Sequence, residues 1–259
     1  MQSIYSAGTS PLHRLHPLTK LAGFLLVVGV AFVLPVLAVQ ALALLCVAIS
    51  AAVAGVPGRV ARMSLVILLP LLVSLFVIQG LLFPPTRTTM LFETPWLTIW
   101  ADGFLFALGV LLRLLLLTWG VLLVLITTHP ADLVAALEGI GLPRAVGYVL
   151  LVAIQLVPDM SARATAILEA QRSRGLNTDG FVRRIRSLVP LIGPLIVGAL
   201  ADVEERAMAL EERAFTASGP KTTLRELADS GAQRVARVGL MIVLVALIVA
   251  RFTVLRGLL

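Results

Sequence analysis

Long runs of apolar residues that carry almost no charge constrain this chain most strongly. The runs cover residues 21–34, 36–54, 64–83, 103–126 and 238–255. The hydrocarbon core of a bilayer is about 30 Å thick, so a helix needs roughly 20 apolar residues to cross it. Hydrophobic residues make up 59% of the 259 residues and charged residues only 14%, whereas a soluble domain carries about 25% charged residues. The pattern predicts an all-α fold, a polytopic membrane helical bundle of about five spans.

Pro35 divides the first two of these runs. A single helix over residues 21–54 would be about 51 Å long, which exceeds the thickness of the bilayer core. Proline also removes one helical hydrogen bond and clashes with the preceding turn. We therefore expect two helices that meet at Pro35, the first of them short.

The basic residues are distributed unevenly along the chain, which has a formal net charge of +7. Thirteen of the 21 lysines and arginines lie between His129 and Arg237, whereas the segment 84–102 contains only Arg87. Lysine and arginine collect in the cytoplasmic loops of membrane proteins. With five spans, this rule places the N-terminus in the cytoplasm. We expect a multi-pass protein of the cell (plasma or inner) membrane. Segment 84–102 is expected to be a loop.

The same distribution predicts three parts. Residues 1–127 form an N-terminal bundle of four spans, and residues 238–259 form a C-terminal span. Between them, residues 128–237 combine arginines with two apolar pieces, 145–157 and 188–200, that are too short for ordinary spans. This middle part is predicted to be a cytoplasmic or interfacial region of amphipathic helices. Few aromatic residues accompany its arginines and no nucleic-acid-binding motif is present, so we expect no nucleic acid partner.

The first amphipathic helix of the middle part is predicted to open at Pro158, because proline is tolerated in a first helical turn. It ends in Arg172, Ser173, Arg174 and Gly175. Glycine favours the position after a helix C-terminus, and arginines favour the negative end of the helix dipole. Arg163 is expected to lie away from the apolar face, which is formed by Met160, Ala164, Ile167, Leu168 and Gln171.

The second amphipathic helix is predicted to begin near Asp202 and to end around Phe215. Arg213 lies in its last turn, after Glu212. Four glutamates and two arginines make one face strongly polar, so the helix does not belong inside lipid. The opposite apolar stripe is formed by Val203, Ala207, Leu210 and Ala214.

Two interpretations of these helices differ in the partner that they imply. A basic amphipathic helix commonly lies on a membrane surface with its arginines on lipid phosphates. The chain would then be a non-transport membrane scaffold that binds anionic lipid. Two such helices, each with an arginine in the last turn, favour docking to a protein instead, because a planar guanidinium fits a groove lined with carboxylates.

The helix ends carry a resemblance to a known family. The chain resembles the transmembrane T component of energy-coupling-factor (ECF) transporters, which are ATP-driven importers of vitamins and transition-metal ions such as cobalt. In that family, two coupling helices each end in an Ala-Arg-Gly signature. The matching segments are Ser173-Arg174-Gly175, with serine in place of alanine, and Glu212-Arg213-Ala214, which keeps only the arginine. Further similar segments are LHPLTK at 15–20, THP at 128–130, Leu142-Pro143 and Val157-Pro158.

The resemblance implies the partners and the activity. The two signatures sit in grooves of two ATP-binding (ABC-type) ATPase subunits, and a separate membrane S subunit binds the substrate. The chain itself is then a non-catalytic subunit without a cofactor, surrounded by membrane lipid. Arg174 and Arg213 are expected to contact acidic residues of the ATPases, with Arg172 in support.

No catalytic constellation is apparent in the sequence. The nearest piece to the phosphate loop G-x-x-x-x-G-K-[ST] is Gly219-Pro220-Lys221-Thr222, which has Pro220 where the second glycine is needed. We interpret it as a helix terminator. We expect no metal site, because the three histidines are scattered and lack a set of cysteines or carboxylates: His13, His16 and His129.

Arg113 lies near the middle of a predicted span. A guanidinium there is costly unless it faces protein or water. We expect a structural partner within the bundle, or a coupling role. An intramembrane enzyme that uses Arg113 with Asp or Glu partners is disfavoured, because the spans contain no Asp or Glu.

Overall fold

The computed structural model describes residues 10–79, 90–94, 97–175, 180, 189–215, 217, 219 and 227–256, with the backbone alone for 90–94, 97–101 and 254–256. Its helices, numbered in chain order, are α1 (Pro11–Arg14), α2 (Pro17–Val33), α3 (Leu37–Val53), α4 (Pro57–Val77), α5 (Ala101–Thr127), α6 (Pro130–Glu138), α7 (Arg144–Ser173), α8 (Val189–Glu212) and α9 (Gly231–Arg256). The predicted helical membrane bundle is confirmed.

Two short strands interrupt the helical order. β1 (Met90–Thr94) pairs with β2 (Leu97–Trp100) as an antiparallel hairpin in which Thr94 faces Leu97. The sequence predicted an irregular loop over residues 84–102, and the hairpin occupies part of it. Both strands contain the aromatic and β-branched residues that favour extended structure.

Four helices in the described part of the chain are long and apolar enough to cross a membrane: Pro57–Val77, Asp102–Thr127, Arg144–Ser173 and Gly231–Thr253. The helices Pro17–Val33 and Leu37–Val53 are apolar but shorter. Three predicted spans therefore correspond to α4, α5 and α9. The predicted break at Pro35 is confirmed, because α2 ends at Val33 and α3 begins at Leu37.

Two predicted helix starts are wrong. The sequence placed a helix start at Pro158, but Pro158 lies inside α7, which begins at Arg144. It placed another near Asp202, but α8 begins at Val189 and passes through Pro194. A proline inside a helix costs about 3 kcal/mol, and the remaining hydrogen bonds and contacts of a long helix can outweigh that cost. The short apolar pieces are thus the first halves of two longer helices.

The described residues form two compact units. The bundle unit contains residues 10–140 and 227–256, and the α7–α8 unit contains the described residues from 141 to 219. The sequence predicted boundaries at 128 and 238 instead. The division of roles among residues 1–127, 128–237 and 238–259 stays a prediction.

Within the bundle unit, α5 is the central element and contacts α2, α3 and α4, while α2 also packs along α9. One buried cluster joins Ala31, Val47 and Leu116. Trp119 packs against this cluster and against a second one around Val60, and its Nε1 donates to Ser64 Oγ at 3.0 Å. Small residues at the contacts let helices approach closely.

Candidate functional site: two arginine-tipped helix ends

The C-terminus of α7 closes in the way that the sequence predicts. Gly175 has a φ of +92°, a left-handed conformation that glycine adopts without penalty. Its N–H donates to the Arg172 carbonyl at 2.9 Å, and the Arg174 N–H donates to the Gln171 carbonyl at 3.1 Å. Arg174 is thus the C-cap residue of α7, and Arg172, Ser173 and Arg174 are all exposed.

The C-terminus of α8 also ends at a left-handed residue. Ala214 has a φ of +51°. Its N–H donates to the Glu211 carbonyl at 2.9 Å, and the Phe215 N–H donates to the Leu210 carbonyl at 2.9 Å. These two bonds form a Schellman motif. A left-handed residue other than glycine costs about 1–2 kcal/mol, so this end is held against strain.

Arg174 and Arg213 therefore occupy equivalent positions. Each is the last residue before a left-handed one at a helix C-terminus. Both side chains are exposed, and no ion pair holds either guanidinium among the residues that the structure describes. The sequence showed this equivalence only weakly, because alanine gives no sign of a helix end.

Three contacts show how α7 and α8 pack against each other. The Tyr148 and Phe215 rings lie 5.5 Å apart. Arg206 lies 4.0 Å from Asp159. Further along α7, Arg163 Nη2 lies 3.0 Å from the Asp202 carboxylate. Residues later in α7 contact residues earlier in the α8 segment, so the two helices are antiparallel.

The antiparallel order places the two arginine tips at opposite ends of the pair. Arg174 lies eleven residues beyond Arg163, and Arg213 lies eleven residues beyond Asp202 in the other direction. At 1.5 Å per residue, each tip is about 16 Å from the central ion pair. The tips are thus on the order of 30 Å apart along the helix pair, a spacing that two separate binding grooves can address.

The contact face of α7 agrees with the sequence except at Arg163. The predicted face, which includes Met160 and Ile167, is half-buried. Arg163 was expected to lie elsewhere, but it lies on that face and bonds Asp202 of α8. A Cβ on Gly198 would come within 2.6 Å of Arg163 Nη1, so glycine makes room for the guanidinium. The sequence gave no signal for a pair 39 residues apart.

The predicted apolar stripe of α8 is not its contact face. Val203 is 64% exposed and Ala207 is exposed, whereas Leu210 is half-buried. The half-buried side of α8 carries Asp202 and Arg206 instead. The exposed stripe is available to lipid or to a partner.

Arg113 has its structural partner inside the bundle unit. Its Nε donates to the Ala31 carbonyl at 2.9 Å, and Gln40 Nε2 donates to the same oxygen at 3.2 Å. The residue four positions after Ala31 is Pro35, which has no N–H to offer that carbonyl. Arg113 also lies over the Phe32 ring at 5.4 Å. Two distant side chains thus replace the hydrogen bond that the proline removes.

A polar cluster between the start of α2 and the start of α9 escaped the sequence analysis. The His16 N–H donates to Gln233 Oε1 at 2.8 Å, and Arg237 Nη2 donates to Asp229 Oδ2 at 3.2 Å. Burial lowers the pKa of His16, as does the charge of Arg237, while Asp229 opposes them. Burial opposes ionisation of Asp229, but the hydrogen bond and charge of Arg237 outweigh it and lower the Asp229 pKa.

Comparison with known proteins places this chain in a family. Residues 8–224 match the family described as CbiQ, cobalt transport protein. The energy-coupling factor transporter transmembrane protein EcfT of Heliobacterium modesticaldum is 30% identical over 232 residues, which are 86% of each chain. The EcfT of Brevibacillus brevis is 29% identical over 238 residues, 86% of this chain and 87% of that one. The EcfT of Thermosediminibacter oceani is 28% identical over 200 residues, 73% and 72%. The matched region contains both arginine-tipped ends, and the chain belongs to the CbiQ cobalt transport protein family.

Proposed function

We propose that this transmembrane component of an energy-coupling-factor transporter transmits movement from two partner ATPases through Arg174 and Arg213. The partners are ATP-binding subunits of the ABC type. A separate membrane S subunit binds the substrate, a vitamin or a metal ion, and is reoriented by the movement. The chain itself contributes no catalytic group. The observation that carries the proposal is the equivalent C-cap position of two exposed arginines at opposite ends of one helix pair.

The chemistry of the tips supports docking to protein. Arginine is charged at all physiological pH values and can donate two parallel hydrogen bonds to one carboxylate. Arg174 is flanked by Arg172, which adds positive charge, and by the small residues Ser173 and Gly175. Arg213 is flanked by Glu212 and Ala214, so its groove needs to accommodate a nearby carboxylate.

The packing of α7 on α8 supports transmission. The central ion pair between Arg163 and Asp202 joins the helices about midway between the tips. In this proposal, a displacement of one tip is passed to the other helix through this contact. Arg113, which is anchored to Ala31, has its support within the bundle unit, and its role is structural in this proposal. The proposal requires both tips, and the N-terminus, on the cytoplasmic side. The α7–α8 pair therefore lies along that membrane surface in this proposal, although α7 is long and apolar enough to cross a membrane.

Charge reversal of both tips tests the proposal. In the double variant Arg174→Glu and Arg213→Glu, like charges replace the proposed ion pairs. Loss of one partner of a buried charge pair costs about 2–5 kcal/mol. We expect co-purification of the ATPases with the tagged chain to fall at least tenfold, and substrate uptake to be lost, with normal membrane insertion.

A matched control is Arg62→Glu, which reverses another exposed arginine on α4 and should leave assembly intact. Normal assembly and uptake in the double variant would refute the docking role. If the double variant instead loses binding to anionic liposomes while no ATPase co-purifies with the native chain, the non-transport lipid-binding scaffold is the better interpretation.

A further inference from the structure

The bundle unit contains an apolar cavity of about 490 Å³ between α2, α3 and α5. Its walls include Phe24, Val27, Val47 and Leu123. Protein interiors are normally packed without voids much larger than a water molecule, and an apolar cavity stays dry and takes apolar ligands. Cys46 lines the cavity and is exposed, so the cavity can be reached from the surface of the bundle.

A polar pocket of about 110 Å³ adjoins this cavity, because Leu15, Lys20 and Thr127 line both. Lys20 Nζ donates to the Thr127 carbonyl at 2.8 Å and to the His13 carbonyl at 3.3 Å. An ammonium group has three donors, so one N–H of Lys20 remains for a ligand. Arg14 also lines the pocket and is exposed.

Two histidines of the pocket present matching chemistry. His16 and His129 are the N-caps of α2 and α6, and the Nδ1 of each accepts a backbone N–H, from Leu18 at 3.3 Å and from Ala131 at 3.2 Å. A neutral imidazole that accepts at Nδ1 carries its proton at Nε2. The positive ends of two helices also meet at this pocket.

The balance of charge and an unpartnered hydroxyl both favour an anionic oxygen ligand. Arg14 and Lys20 outnumber Asp132, which is the acidic residue among the described residues that line the pocket. Thr128 is only 7% exposed and lines the pocket, and its Oγ1 has no partner in the described part of the chain. Buried hydroxyls are normally hydrogen-bonded, and a phosphate or glycerol oxygen would supply the partner.

We propose that the bundle unit binds one anionic phospholipid, with its phosphate in the polar pocket and an acyl chain in the apolar cavity. A ligand with one charged end and one long apolar end fits two joined sites of opposite character. The site shares no lining residue with the arginine-tipped helices, and it would bind α2, α3, α5 and α6 together at one end of the bundle. Its occupant comes from the adjacent membrane leaflet.

The test uses the intact chain, purified with its partner subunits, stripped of lipid with detergent and titrated with phosphatidylglycerol. Native mass spectrometry counts the lipids that remain bound. We expect one phosphatidylglycerol per copy of the chain, with at least tenfold weaker binding of phosphatidylcholine. Equal binding of the two lipids would overturn the proposed phosphate site.

Two variants test the two halves of the site. Gly23 lines the cavity, and a Cβ there meets nothing within 4 Å, so Gly23→Phe starts a large side chain at the cavity wall without a backbone clash. Arg14→Glu reverses a charge in the pocket. Each should weaken phosphatidylglycerol binding at least tenfold. Gly239→Phe is the matched control, because Gly239 on α9 is equally open and lines neither half.

Binding that survives Gly23→Phe would overturn the proposal, even if Arg14→Glu abolished it, because the ligand would then not occupy the cavity. A second readout uses the chain's single cysteine. Phosphatidylglycerol should slow the alkylation of Cys46 by N-ethylmaleimide in the native chain and not in Arg14→Glu. Alkylation of the native chain at an unchanged rate would contradict occupation of the cavity.

Discussion

At the scale of single residues, Arg113 compensates for a helical hydrogen bond that Pro35 removes. Pro35 ends α2 and leaves the Ala31 carbonyl without a helical donor, and Arg113 and Gln40 supply donors from elsewhere in the bundle unit. Gln40 is 1% exposed, so this carbonyl is satisfied away from water. The break at Pro35 was predictable from local chemistry. Its repair was not, because Arg113 is 82 residues from Ala31.

This compensation predicts that the stability cost of substituting Arg113 depends on whether Pro35 is present. Arg113→Met removes a charge-assisted hydrogen bond and should destabilise the chain by about 1–3 kcal/mol. In the background Pro35→Ala, a backbone N–H becomes available to the carbonyl, and the same substitution should cost less. Thermal unfolding of the four variants in detergent measures the coupling. Equal costs in both backgrounds would mean that Arg113 stabilises the chain in another way.

The two helix ends predict opposite effects of exchanging glycine and alanine. Gly175→Ala places a Cβ at a φ of +92° and should destabilise the chain by about 1–2 kcal/mol. Ala214→Gly relieves the same strain at a φ of +51° and should stabilise it by about 0.5–1 kcal/mol. Thermal unfolding of each variant checks the signs. Two shifts of the same sign would contradict the equivalence of the two ends.

At the scale of elements, long helices depend on contacts that sequence patterns do not display. Pro35 ends a helix, whereas Pro158 lies within α7 and Pro194 within α8, although the local rule for proline is the same at all three. The apolar halves before Asp159 and Asp202 looked too short to be spans because each was cut at a predicted break. The face of α7 was predictable from its periodicity. The ion pair of Arg163 was not predictable, because its partner Asp202 is 39 residues away. The left-handed conformation of Ala214 was not predictable either, because alanine favours helix interiors.

The contact between α2 and α9 predicts a pH dependence of stability. The folded chain lowers the pKa of His16 below its usual value of about 6.5, so the unfolded chain binds the proton more readily. Stability should therefore fall as the pH drops below about 6.5. The lowered Asp229 pKa contributes stability that is present above about pH 4 and lost in stronger acid.

Melting temperatures between pH 7.5 and 5 measure the contribution of His16. His16→Asn keeps an N-cap side chain and should flatten the curve in this range. His129→Asn, at the other N-cap histidine, leaves His16 in place. This variant should still show the decrease in melting temperature that His16 causes at low pH. A curve that is unchanged by His16→Asn would show that this contact does not titrate.

At the scale of the whole molecule, many large apolar side chains of the described residues are exposed. Leu42 is 62% exposed, Val66 69% and Ile242 62%, as expected of helices that contact lipid or other subunits rather than a large core. In the α7–α8 unit, the exposed features include two cationic tips and the stripe at Val203. The family and the helical fold were predictable from hydropathy and short motifs. The antiparallel order of α7 and α8, which separates the tips, could not be predicted from the sequence and is seen only in the structure.

Photo-cross-linking from the two tips tests the central claim most directly. A photoreactive residue in place of Ser173 or Glu212 stands next to Arg174 or Arg213 and does not remove either arginine. In the intact complex, each position should form an adduct with an ATPase subunit, and a chain that carries both should capture two ATPases at once. Adducts with lipid alone, or with proteins outside the cell, would contradict the account.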